Sequence, residues 1–232
     1  MSRFNEAREV LEQATTLVKE ANLSTTHPSL LGIQNVLAVV YSRLGDNVKA
    51  ESMLRELLVK DEKLFGKHGL QTFTVMNDLG GVLQRQEKFS EAAEMQKEAL
   101  RRCTEILGEK ARFTMRVRND LGESLRLWGE NRVGDEVETA RLLEEAEGYH
   151  REALRLRVEV LGEETLDTWI SMVNYGFVQQ SLGKETEALN YFSVLEKLET
   201  AAGSNNEVVQ RGKQRLDLLD ARKTIRDSIR EM

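Results

Sequence analysis

The chain has 232 residues, of which 40% are apolar and 31% charged. That balance is one of a folded domain, and no apolar run approaches the ~20 residues of a membrane span, so no membrane partner is expected. The net charge of −6, from 33 basic and 39 acidic residues, lacks the basic footprint of a nucleic-acid binder. The single cysteine, Cys103, excludes an internal disulfide, and the N-terminus has no apolar h-region. A cytoplasmic location is the expectation. One proline in the whole chain suits a fold that is nearly all helix.

Residues 2–21 predict one helix, in which Phe4, Ala7 and Ala14 have the spacing that returns as Phe89, Ala92 and Ala99. No partner helix precedes it. Residues 1–23 therefore read as half a repeat, the chain being a fragment of a longer array, or as an N-terminal cap. Pro28 suits the first turn of the next helix. From there the chain repeats itself. The segments LFGK at 64–67, ILGEK at 106–110 and VLGEE at 160–164 end in step, with Gly66, Gly108 and Gly162 where a helix stops.

The first two glycines are 42 residues apart and the next two 54, so one period carries a twelve-residue insertion. A large residue and a small one recur as Leu37-Ala38, Leu79-Gly80, Leu121-Gly122 and Tyr175-Gly176. Alanines follow at Ala50, Ala92, Ala146 and Ala188, then Leu57, Ala99, Ala153 and Leu195. Small mid-helix residues let two helices approach, and large apolar ones at i+3 and i+4 fill the space around them. Each period is thus an antiparallel pair, helix A then helix B. Neither buries its apolar face alone, so neighbours stack.

The expected repeats are 28–66, 70–108, 112–162 and 165–201. The insertion falls near 129–142. Gly129 and Gly134 predict a loop over 129–135, and Asp135 or Glu136 starts a long helix B running to about 161. It reads as a tolerated loop insertion, with a partner-contacting arm as the sharper alternative. AAGSNNE at 201–207 predicts a loop. An amphipathic helix over 207–230, with Val209, Leu216, Leu219, Ile225 and Ile229, reads as a C-terminal cap within 206–232.

The pattern L-G-x-x-[YL] followed by A-x-x-x-[FL] resembles the tetratricopeptide repeat. The 42-residue period and the join Leu161 to Thr168, with Thr72 and Thr114 at the matching site, resemble the kinesin-light-chain subtype. The resemblance covers residues 1 to about 200. It implies an all-α fold, an α-α superhelix or solenoid of antiparallel pairs with about ten helices, and helix A on the inner, concave face. It also implies a scaffold that binds proteins, with no particular partner named.

On helix A, Asn35, Asn77 and Asn119 occupy one site, and Asn174 sits one place beyond it in the fourth repeat. Asparagine is a poor mid-helix residue. Its amide donates and accepts, so a row of them can bind the backbone of an extended peptide, as helix A asparagines do in the resembling repeats. The alternative is that these amides bridge neighbouring helices. Arg43 and Arg85 share a site near the end of helix A, Arg126 falls one residue early in its own repeat, and Arg116 lies near the start of its helix with Arg118. Arginine forks bind carboxylates, so the expected partner is a protein or peptide, extended and acidic or mixed. The carboxylate clamp of chaperone-tail domains does not carry over. Its sites here hold Asn35, Val39, Asp78, Arg116 and Asp120, and two aspartates would repel a carboxylate.

No phosphate loop, dinucleotide motif or metal motif is present, so neither cofactor nor enzyme is expected. His27, His68 and His150 read as structural, His150 in a core or rim. Cys103 reads as a small packing residue, Glu144, Glu145 and Glu147 as a solvated run, and Trp128 and Trp169 as packing between repeats, with a groove-facing place near the start of helix A as the alternative for Trp169. A second reading is a regulatory segment that associates through the unpaired helix 2–21, with a homodimer as one form.

Overall fold

A computed structural model describes residues 2–21, 24 and 26–230, with side chains for 3–18, 20, 21, 24 and 26–221. Eleven α-helices and no strand make up the described residues. They are α1 (Ser2–Glu20), α2 (Pro28–Arg43), α3 (Asn47–Phe65), α4 (Leu70–Arg85), α5 (Phe89–Leu107), α6 (Arg112–Glu130), α7 (Glu136–Leu161), α8 (Leu166–Ser181), α9 (Glu185–Phe192), α10 (Leu195–Ala202) and α11 (Glu207–Arg230). None is long and apolar enough to cross a membrane. The chain divides into two compact units, residues 1–124 and 125–232, with the boundary inside α6.

The first unit pairs α2 with α3 and α4 with α5, and α1 packs on α2. The repeated positions form its core: Leu37, Ala38, Ala50, Leu57, Leu79 and Ala92 are buried in one cluster, against which Leu11 of α1 rests. Glu12 of α1 also accepts the hydroxyl of Tyr41. In the second unit α8 packs on α7, α9, α10 and α11, around Val173, Phe177, Ala188, Phe192, Leu198 and Val209. Ile225 and Ile229 lie outside the residues whose side chains are described.

The joins between pairs follow one design. Gly66 and Gly162 end helices B with φ of 76° and 85° and ψ of 172°, an extended left-handed backbone open essentially to glycine alone. The freed carbonyls are taken by the next helix A: Thr72 donates its hydroxyl to Gly66 at 2.8 Å and Thr168 to Gly162 at 2.7 Å. At these two joins the threonine is a capping donor, whereas Thr114 at the middle join donates to the Cys103 carbonyl at 3.5 Å; all three threonines are fully buried.

The insertion is shared among three elements rather than held in one loop. α6 has 19 residues where α2 and α4 have 16, and α7 has 26 where α3 and α5 have 19. The connection 131–135 takes the rest. Asp135 caps α7 by accepting from the Glu138 amide at 3.0 Å. The fourth helix B departs from the expected single helix. It breaks at Ser193–Val194 into α9 and α10, where Ser193 donates back to the Asn190 carbonyl at 2.6 Å. Such a local side-chain bond competes with the helix, and a β-branched valine follows it.

Gly176 shows why the small column must stay small. A Cβ there would lie 2.6 Å from Cε1 of Phe192 and 3.2 Å from Cβ of Tyr191. A buried ring cannot yield easily, so Gly176→Ala is expected to cost about 1–3 kcal/mol. Chemical denaturation of the variant checks this, and an unchanged midpoint would contradict the close packing of α8 on α9.

Candidate functional site

On α2, residues 32, 35, 36, 39 and 43 fall on one helical stripe, and the residues 42 places on continue it along α4. This face carries accessible groups: Val36 is 50% exposed, and Arg43, Arg85 and Arg116 are exposed. Beneath them runs a row of paired amides and carboxylates. Asn35 donates Nδ2 to Oδ2 of Asp78 at 2.8 Å, and Asn77 donates Nδ2 to Oδ2 of Asp120 at 2.9 Å. Each bond crosses from one helix A to the next. The bridging alternative for Asn35 and Asn77 is therefore realised on the donor side of these amides.

The acceptor side is different. Oδ1 of Asn35 and Oδ1 of Asn77 are both shut off from solvent and accept no hydrogen bond. Asn77 as a whole is only 4% exposed. A buried carbonyl without a donor costs about 1–3 kcal/mol. Burial also pushes the Asp78 carboxyl above the usual carboxylate range. The bond from Asn35 and the charge of Arg116 oppose that shift, and Asp120 adds to it. Arg116 holds its guanidinium 4.9 Å from the Phe113 ring.

Asn119 and Asn174 are buried on α6 and α8. Asn174 belongs to the second unit. Arg126 departs most from the expectation of a peptide-binding arginine. It is fully buried, also in the second unit, 2.6 Å from the Glu130 carboxylate and 5.6 Å from the Phe177 ring. The extension of α6 to Glu130 supplies that i+4 partner. Glu130 in turn binds Arg215 of α11 at 2.9 Å. Arg126 is thus a packing residue and faces no open surface.

The aspartates are the polar residues of this face that spacing alone set aside. Their signal is the dipeptide Asn-Asp at 77–78 and again at 119–120. An asparagine meets the aspartate 43 residues later, one period plus one residue. The remaining residues read as structural are placed inside: Cys103 and His150 are fully buried, and Trp169 packs on the second core. Burial pushes the Cys103 thiol upward. Among the described residues no group of three or more His, Cys, Asp or Glu side chains could hold a metal ion.

Stacked antiparallel helix pairs with a repeated polar stripe define a helical-repeat protein. Two family models of the tetratricopeptide repeat match, one over residues 29–104 and 71–133 and the other over 139–167. Together they span more than half of the chain, which belongs to the tetratricopeptide-repeat family. Among solved structures, the nearly identical TPR-like repeats of a protein from Podosopora anserina assigned as a kinesin light chain are similar at 17% identity. They align over 87% of this chain and 89% of that one with a TM-score of 0.63, and a single-substitution variant of them aligns over the same shares with 0.65. BtubC (BKLC) of P. vanneervenii is 22% identical over 88% of this chain and 76% of its own, with a TM-score of 0.65. These likenesses are of fold. No curated protein matches the sequence.

Proposed function

We propose that the chain is a protein-interaction scaffold whose helix A face, on α2, α4 and the first part of α6, holds an extended segment of a partner. The observation that carries this reading is Asn77. It is a buried polar residue in mid-helix, one of its two amide atoms has no partner, and it sits beside an accessible stripe. An extended segment brings backbone N–H groups, the donors that this oxygen lacks, and reaching it requires the side chains that now shield it to move aside on binding. Arg43 and Arg85, exposed at the ends of α2 and α4, would receive acidic side chains of the same segment. The site is a binding surface rather than a catalytic one, and a cytoplasmic setting is part of the proposal.

Panning a library of displayed dodecapeptides tests it. Recovered peptides are expected to lose about fivefold or more in affinity on Val36→Glu, a change at an exposed position of the stripe, with an unchanged circular dichroism spectrum. Peptides that bind this variant as well as the parent, but lose binding on Val59→Glu of the helix B face, would overturn the assignment.

A second reading rests on α1. None of its described residues is buried, and Phe4, Val10 and Leu17 stand exposed. Such a face can pair with a second copy of the chain. Light scattering decides this: a strict monomer at high concentration rules the dimer out.

A further inference from the structure

Helix α1 leaves one of its edges open. Phe4, Ala7 and Ala14 have the spacing of Phe89, Ala92 and Ala99 on α5, so Glu6 answers to Glu91, Val10 to Met95 and Leu17 to Arg102. On α5 these positions have neighbours. Ala92 and Ala99 are fully buried, and Met95 packs against the first core. Arg102 donates to Glu62 of α3 at 3.1 Å and to the Lys67 carbonyl at 3.2 Å. Glu91 accepts from Arg55 of α3. On α1 the same positions are open. Ala7 and Ala14 are only half-buried and Glu6 is exposed, while Val10 and Leu17 are 62% and 64% exposed. The other side of α1 is taken, since Leu11 packs against the first core and Glu12 accepts from Tyr41 of α2.

Ala7, Val10, Ala14 and Leu17 follow the alternating three- and four-residue spacing of a seam between two helices. The rim of that seam holds Glu6, Gln13 and Glu20, all exposed. We infer that this edge of α1 takes an α-helix of another protein, one with an apolar seam and lysine or arginine along its rim. The chain itself makes a rim contact of this kind where Arg55 of α3 pairs with Glu91 of α5, and Glu91 is the counterpart of Glu6. The charge of the rim also selects the occupant. In a symmetric antiparallel pair of two α1 helices the rim would meet itself, with Glu6 near Glu20 of the second copy. Like charges set against each other oppose that pairing, whereas a basic helix meets the opposite charge. The inference takes the face of the dimer reading, commits it to a different occupant, and is independent of the helix A groove.

The test uses the whole chain and two labelled helical peptides of three heptads, both with leucine along the seam. One carries lysine on its rims and the other glutamate. Fluorescence anisotropy at physiological ionic strength is expected to show the basic probe binding about fivefold or more tighter than the acidic one. Val10→Gln with Leu17→Gln removes the seam without changing charge and is expected to weaken the basic probe by about tenfold or more. Val48→Gln with Val59→Gln, at exposed positions of α3, is expected to change it by less than about twofold. Equal losses in these two variants, or no loss in either, would overturn the inference. Glu6→Gln with Glu20→Gln is expected to narrow the preference for the basic probe by about twofold. An equal narrowing by Glu109→Gln with Glu163→Gln, exposed elsewhere, would mean general attraction to an acidic protein and would overturn the rim. Loss of the probe on Val36→Glu alone would move its seat to the helix A groove. A dimer in light scattering that Val10→Gln with Leu17→Gln disperses would give the face to a second copy, overturning the inference and leaving the groove reading intact. Should the seam variant unfold, the backbone amide resonances of the unaltered chain decide. Shifts in α1 on adding the basic probe support the inference, and shifts confined to other helices overturn it.

Discussion

Replacing Asp61 by alanine is expected to raise the melting temperature near neutral pH and to leave the pH-dependent part of stability unchanged near pH 4. Asp61 lies on α3 at 2% exposure, its Oδ1 has no hydrogen-bond partner, and burial pushes its carboxyl from 3.8 up to about 6. Burial is the cause of this shift, with no cation compensating. Below the lower of these values the folded and unfolded chains both hold the proton, and the group adds no pH-dependent term. As pH rises from 3.8 to about 6 the unfolded chain ionises first, and folding loses up to about 3 kcal/mol. Above that window the loss is constant. Position 61 is matched in the next repeat by Cys103, which is equally buried, so the site accepts a small side chain without charge. Thermal melts of parent and variant between about pH 4 and pH 8 measure the effect. Parallel curves for the two proteins would show that Asp61 has an ordinary carboxyl.

Arg126→Ala is expected to be the most destabilising single change, at about 3–5 kcal/mol. The side chain is fully buried, and its loss opens a cavity beside the Phe177 ring and strips a partner from Glu130. Glu130 keeps Arg215, whose Nη2 alone donates to both carboxylate oxygens, at 3.0 and 2.9 Å. The two arginines are therefore coupled through it. Arg215→Ala alone should cost about 1 kcal/mol or less, as expected of a more exposed pair, and more in the Arg126→Ala background. Urea denaturation of the two single variants and the double variant gives that coupling. Strict additivity would contradict a shared role for Glu130. High salt should narrow the difference for Arg215 more than for Arg126, because screening acts less on buried pairs.

These two residues also mark the limit of what spacing reveals. The 42-residue register was legible because one residue type recurs wherever two helices touch at the same depth. Leu37, Leu79 and Leu121 all point into core, and Ala50, Ala92, Ala146 and Ala188 are all fully buried. The glycine of each join was legible as a helix stop, since few other residues tolerate its backbone. Its threonine partner was visible as a pattern, while the hydroxyl-to-carbonyl bond behind it was not.

Side-chain partners across repeats were beyond that register. Asn35 and Asn77 stood out as unusual mid-helix residues, but a column of asparagines looks the same whether its amides face a peptide or the next helix. The aspartate one residue further on settles the donor side. Arg126 belonged by position to the arginines near the ends of helix A. Lengthening of α6 carried the chain to Glu130, and Arg126 turned into the core to meet it. The break between α9 and α10 likewise followed a local bond at Ser193 that the apolar spacing does not report. The helices, their pairing and the period of the repeat could be read from the order of residues, because they depend on hydrophobic spacing within one chain segment. Which polar atoms are satisfied and which are left waiting emerged with the packed fold, because a hydrogen bond depends on a few tenths of an ångström between residues some forty positions apart.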